Sequence, residues 1–298
     1  MHATLPVPFL ATVWTQVVNT TFGTTNINAI TSDGSSQYVA VGSSGKIATS
    51  SNLITWTSAV SGFSGSNIYA IAYGDGQYII GGSAGKMARS SDGVNWTLVA
   101  SSFGASAILG IVYAPSAGLW IAVGASGKLA TSIDGIEWVQ RLSSFGTTFI
   151  NAVWATPTTI VAVGYDGKLA TSSNGTSWTQ RSSSFVTSTI FGITTNDSGS
   201  KFIAVGDAGK IATSPNGTTW TQAFPASSFG GSQVRAVSGN SETYIAGGTA
   251  GKIATSIDGV SWIQRSSGFG TSNINGVYLD ASVAVAVGSG GKIAYSGV

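Results

Sequence analysis

The chain has no cysteine, and its single histidine is His2. Disulfide stapling, thiol nucleophiles, histidine triads and zinc clusters are thereby excluded. Charge is also scarce, with only 8% of residues Asp, Glu, Lys or Arg. Water must therefore be held by Ser, Thr and backbone groups more than by ions. No apolar run approaches the ~18 residues of a membrane span. Neither nucleic acid nor membrane insertion is expected, and no cofactor or metal.

What is abundant is repetition. A unit of about 41 residues is marked by Lys46, Lys86, Lys128, Lys168, Lys210, Lys252 and Lys292, each following a glycine. Each lysine from Lys46 to Lys252 is followed ten residues later by a tryptophan: Trp56, Trp96, Trp138, Trp178, Trp220 and Trp262. Lys292 has no such partner, and Trp14 has no lysine before it. One unit split between the two ends explains both orphans.

Each unit reads as four strand-length segments separated by Gly, Ser, Asn and Asp, with no room for a helix. In the third unit these are Ile108 to Val112, Trp120 to Gly124, Lys128 to Ser132 and Ile136 to Arg141. Four strands in this period predict a propeller blade. Strands apolar on both faces suit sheets sandwiched between neighbours. The expected fold is all-β: a seven-bladed β-propeller of four-stranded blades. An N-terminal strand from about Thr12 to Val17 completes the C-terminal blade and closes the ring. The small residues Ala29, Ala70, Gly110, Ala152, Gly192, Ala236 and Gly276 recur in register and mark crowded inner strands. Seven phenylalanines (Phe22, Phe63, Phe103, Phe145, Phe185, Phe229 and Phe269) read as core plugs of the blade-to-blade loops.

Residues 1–10 read as an apolar, proline-stiffened arm and 11–298 as a single propeller. Leu5 to Val13 lacks the basic flank of a signal peptide and runs into the closing strand, so it is expected to stay on the mature protein.

Between the third and fourth strands lies S-x-[DN]-G-x-x-W, as in Ser90 to Trp96, Ser132 to Trp138, Ser172 to Trp178, Ser214 to Trp220 and Ser256 to Trp262. Ser50 to Trp56 is a degenerate copy. This hairpin resembles the Asp-box, or BNR repeat, of sialidase-like propellers, in a form one residue shorter than the commonest. The resemblance implies that these boxes are structural and lie away from any active site. It also implies a sialidase set of three arginines, a tyrosine with a glutamate, and an aspartate. That set is not expected to assemble. Arg141, Arg181 and Arg265 follow the box tryptophans onto outer strands. Glu137 and Glu242 occupy separate turns, whereas paired catalytic carboxylates must stand about 5 to 10 Å apart. The protein is expected not to be an enzyme.

Threading the charges onto propeller topology makes the molecule two-faced. The seven lysines, with Arg141, Arg181, Arg265 and Arg235, gather on one face with only Asp166 and Asp207, giving +9 there. The other face collects nine acids against Arg89 and Lys201, giving −7 and a net charge of +2. Neighbouring lysine heads roughly one Debye length apart, about 10 Å, repel only weakly, so the ring persists without a ligand. Each lysine singly reads as a stem covering its strand with a wet head.

Selectivity is expected where the copies differ. One such place is the turns before the lysines, including Tyr165-Asp166. Another is the second residue of each inner strand: Asn28, Tyr69, Leu109, Asn151, Phe191, Arg235 and Asn275. The candidate ligand-binding residues of the basic face are the seven lysines, Arg235 and Tyr165. Composition resembles bacteriophage virion surface proteins. The expected role is a non-enzymatic binding or structural propeller on a virion surface, such as a tail fibre, receptor-binding tip or decoration. It would contact a surface polysaccharide or a neighbouring virion protein, alone or in many copies. A glycoside hydrolase on acidic sugars and an intracellular interaction scaffold are the alternatives.

Overall fold

The structure, a computed structural model, describes residues 11–35, 37–223 and 228–297. The expected arm over residues 1–10 lies outside them.

Seven four-stranded antiparallel sheets form in sequence order, each pairing its strands consecutively from inner to outer. Blade 1 runs Ile27–Ser32, Tyr38–Gly42, Lys46–Ser50, Thr57–Val60. Blade 7 takes Ile274–Leu279, Val283–Gly288 and Ile293–Gly297 from the C-terminus, and its outer strand, Thr15–Gln16, from the N-terminus. The ring closes where blade 7 meets blade 1. Val283, Val285, Val287 and Ile293 pack with Phe22, Ile27 and Ala48 in one buried cluster.

The core lies between blades, because each sheet is too small to bury either face alone. Ala70, Ile79 and Met87 of one blade, for instance, cluster with Phe103, Ile108, Ile111 and Trp120 of the next. The seven loop phenylalanines are each at most 1% exposed. At about 25 cal/mol per Å² of apolar surface, each such plug contributes roughly 2–3 kcal/mol. Inner strands pass so closely that a Cβ on Gly110 would stand 3.1 Å from Ala152 Cα, and one on Gly276 3.2 Å from Ala29 Cα.

In the third blade the outer strand is Val139–Arg141, three residues shorter at its start than the sequence predicts. The N–H groups of Ile136 and Glu137 are turned instead onto Asp134 Oδ1, at 2.8 and 3.1 Å. The box turn thus consumes the start of the strand. All six boxes share this bonding, the degenerate Ser50 to Trp56 included. There Asn52 Oδ1 accepts from Ile54 and Thr55, and Trp56 Nε1 donates to Leu53 O at 3.1 Å.

Candidate functional site: the mouth on the lysine-bearing face

A glycine precedes each lysine because the backbone there makes a tight turn with two successive left-handed residues. In blade 2 these are Ala84 at φ 55° and Gly85 at φ 64°, and a side chain on Gly85 would collide with the Gly104 carbonyl of the next blade. The turn delivers the lysine stem across its own blade-to-blade loop. Every repeat lysine then donates to the carbonyl of that loop's phenylalanine: Lys46 to Phe22 at 2.8 Å, Lys86 to Phe63 at 2.7 Å, Lys128 to Phe103 at 2.6 Å, Lys168 to Phe145 at 3.0 Å. Lys210, Lys252 and Lys292 reach Phe185, Phe229 and Phe269 at 3.2, 2.7 and 2.8 Å. Lys168 and Lys210 also hold Thr148 Oγ1 and Ser188 Oγ. The lysines are therefore tied to the frame of the ring, each keeping part of its three-donor ammonium for solvent or a ligand.

Arg141, Arg181 and Arg265 lie flat on their outer strands, each Nε 2.9 Å from a threonine hydroxyl of the neighbouring strand. They do not converge. The inner hairpins and box turns share the opposite face, where Gln77 Nε2 and Lys201 Nζ donate to the Asp134 and Asp258 carbonyls of the following blades.

The variable second residues of the inner strands do come together. All seven line a funnel of about 530 Å³ at the axis, joined by Phe149, Tyr165 and Gln233. They fall into two kinds. Asn28, Asn151 and Asn275 each donate from Nδ2 to the first carbonyl of the next blade's inner strand, at Ile68, Ile190 and Ile27, over 2.7 to 3.0 Å. These are staples of the ring. Tyr69, Leu109, Phe191 and Arg235 replace the staple with a larger side chain.

Arg235 is oriented by amides. Its Nε and one terminal nitrogen donate to Gln233 Oε1 at 3.3 and 3.2 Å, and the other donates to Asn275 Oδ1 at 3.1 Å. Gln233 is anchored in turn by donating from Nε2 to Asp207 Oδ1 at 2.9 Å. Across the funnel the picture is apolar. The Phe149 and Tyr165 rings pack 5.3 Å apart at 34°, each more than 40% exposed. Tyr69 Oη accepts from Ser83 Oγ and Asn67 Nδ2 at 3.1 and 3.3 Å. The mouth is thus half guanidinium and amide, half aromatic and aliphatic, and none of its lining residues carries a carboxylate.

Of the sequence-predicted residues, Arg235 and Tyr165 line the mouth, and the lysines do not. Phe149 and Gln233 are additions. Both occupy the position two residues before the variable one, which itself runs Asn26, Asn67, Ala107, Phe149, Thr189, Gln233, Asn273. The same criterion of variation between copies finds them once extended by two residues.

Fold and site together define a seven-bladed β-propeller with an axial mouth. No family model matches the sequence, and no curated protein matches it. Among solved structures it is similar to YCF48 bound to a D1 peptide, at 16% identity and TM-score 0.76 over 98% of this protein and 96% of that one. It is similar also to virginiamycin B lyase from Staphylococcus aureus, at 13% identity and TM-score 0.84 over 96% and 99%. The WD40 repeats of RRP9 give 9% and 0.76 over 97% and 98%. At such identities the likeness establishes the fold.

Proposed function

We propose that this propeller is a non-enzymatic binding protein whose lysine-bearing face docks a partner, with the axial mouth as the contact that selects it. The observation that carries this reading is the exchange of the asparagine staple for Tyr69, Leu109, Phe191 and Arg235. At these four positions the staple to the next blade's first strand carbonyl is not made among the described residues, and a bulky or charged side chain lines an open funnel instead. The seven lysines surround the mouth with positive potential, which steers an anionic partner toward it. A non-catalytic role is supported by the chemistry of the lining. It offers one guanidinium, two phenols and amides, with no carboxylate pair for general acid and base.

A protein is the partner class we favour, and a YCF48 of the same fold bound to a peptide supports it. The finer parts of the reading are an Asp-box kind of hairpin and a place on a bacteriophage virion surface, with a bacterial surface glycan as the second partner. The serine and Asp/Asn turn bonding repeated in six hairpins supports the first. The charge-poor, hydroxyl-rich composition supports the second.

Interferometry of the purified protein against arrayed peptides and against bacterial envelope polysaccharide tests the proposal. Binding should fall at least tenfold in Tyr165→Ala and Arg235→Ala and stay unchanged in Val260→Ser, which alters a box turn. Binding that is equal in all three variants, or absent from both arrays, overturns it. Release of reducing sugar from an acidic polysaccharide would support the glycoside hydrolase instead.

A further inference from the structure

We infer that the mouth takes a peptide segment presenting a carboxylate to Arg235 and an adjacent apolar side chain to the Phe149–Tyr165 wall. This rests on the binding reading above and names the occupant.

Arg235 carries the argument. A guanidinium has five N–H bonds in a fixed fork. Three are spent on Gln233 and Asn275, and both of these partners are neutral amides. The nearby carboxylate, Asp207, is engaged one step back, where it holds Gln233. The result is a cation aimed by a relay but not neutralised by direct contact, with one N–H left on each terminal nitrogen. A carboxylate fits such a donor pair, and a charge-assisted bond of this kind is about twice as strong as a neutral one.

The rest of the lining says what stands beside that carboxylate. Leu109, Phe191 and the Phe149–Tyr165 pair share the same funnel. An acidic pyranose would press hydroxyls against this apolar half and lose their hydration without replacement bonds. A phenylalanine- or leucine-like side chain gains there instead. The asparagine staples spend Nδ2 on the ring, so Asn28 and Asn151 keep Oδ1 to accept a peptide N–H. Carboxylate, apolar side chain and backbone donor in one small volume describe a peptide. The carboxylate is either a free peptide C-terminus or that of an Asp or Glu residue.

The test is NMR titration of the isotope-labelled full-length protein, following the Arg235 Nε–H and the Tyr165 ring. The probes are Gly-Ser-Phe with a free C-terminus, the same tripeptide amidated, end-capped Gly-Phe-Glu-Gly, end-capped Gly-Phe-Gln-Gly, and a glucuronic-acid disaccharide. At least one carboxylate peptide should saturate both signals and bind at least tenfold more tightly than its amide counterpart. Which of the two does so identifies the source of the carboxylate. Replacing the peptide phenylalanine by serine should cost a similar factor, and Arg235→Gln should abolish the preference for carboxylate over amide.

Equal binding of acid and amide, no response to either acid at millimolar concentration, or tighter binding of the disaccharide overturns the inference. The broader binding reading survives if a neutral peptide or the sugar saturates the same signals. It falls if Tyr165→Ala and Arg235→Ala leave every interaction unchanged, or if neither peptide nor polysaccharide binds at all.

Discussion

Thr15 stands directly opposite Tyr295 in an antiparallel pair, with Gln16 opposite Ala294, so one sheet is built from both ends of the polypeptide. The pairing is short but heavily backed. Val17 N–H donates to Ile293 O at 2.9 Å, Gln16 Nε2 to Ser267 O at 3.1 Å, and Thr20 Oγ1 to Gly291 O at 2.6 Å. Ala11 and Trp14 pack into the core between blades 6 and 7.

Removing residues 1–17 should therefore cost far more than trimming a loose end. Loss of the contacts of buried Ala11 and half-buried Trp14 alone corresponds to about 3 kcal/mol, by analogy with large-to-small core changes. For a domain of this size the Tm should drop on the order of 10 °C. Calorimetry of the truncated protein beside the full-length one checks this. A shift of only a degree or two would mean the ring stays shut without its latch.

The lysine bonds predict a stability effect where a purely ligand-binding lysine would show none. Lys86→Met keeps the apolar stem and removes the ammonium donor to Phe63 O, leaving that carbonyl with the Ser66 N–H as its partner. The expected loss is about 1–2 kcal/mol, the order of one hydrogen bond from a charged donor, read as a lowered urea midpoint at unchanged slope. Lys201→Met, at the opposite face, removes the equivalent bond to Asp258 O and should cost a similar amount without touching the mouth.

The box carboxylates give the fold its sensitivity to acid. Asp92 is held well below the usual carboxylate range, first by the backbone N–H and side-chain amide of Asn95, then by Val94 N–H and Ser90 Oγ. Asp134 is lowered by the N–H groups of Ile136 and Glu137. At Asp258 burial pushes upward, but donation from Ser261, Val260 and Ser256 prevails and brings it to about 2. A carboxyl whose folded value is depressed stabilises above its unfolded value, about 3.9, and loses that contribution as pH falls toward the folded value. Thermal melts should therefore show a steep loss between about pH 4 and pH 2. The boxes with Asn52, Asn174 and Asn216 make the same turn without a charge. The triple variant Asp92→Asn, Asp134→Asn, Asp258→Asn should then melt below the parent at pH 7, change little with pH, and converge with the parent toward pH 2.

Periodicity made the ring legible in the sequence, because the signals for blade count and strand order are local and repeated, and the one break in the repeat, at Lys292 and Trp14, marks the closure. The buried phenylalanines and the crowded inner strands were readable for the same reason. The mouth was half legible. Variation at Asn28, Tyr69, Leu109, Asn151, Phe191, Arg235 and Asn275 pointed to the axis, yet nothing local distinguishes an asparagine that staples two blades from a residue free to meet a ligand. That distinction needs the neighbouring blade's carbonyl in place. The lysines show the reverse limit. Their register was plain, but their engagement with the phenylalanine carbonyls, about 23 residues earlier in the sequence, is a tertiary fact.

Leu53 illustrates how a rule can be broken and compensated at one position. It takes the place of the box glycine in the first blade, at φ 63°, where any Cβ adds about 1–2 kcal/mol of backbone strain. It is 1% exposed and packs with Trp56 and the Val283–Val287 strand of blade 7. That burial offsets the strain with roughly 2–3 kcal/mol. Leu53→Gly relieves the backbone and opens a cavity, so the net effect should be a loss of about 1–3 kcal/mol. Leu53→Ala opens nearly the same cavity and keeps the strain. The stability order should therefore run Leu, then Gly, then Ala, the reverse of the usual Ala-over-Gly preference elsewhere in a sheet. Urea unfolding of the three proteins checks the order. Ala above Gly would show that this turn does not hold its residue in the left-handed region in solution.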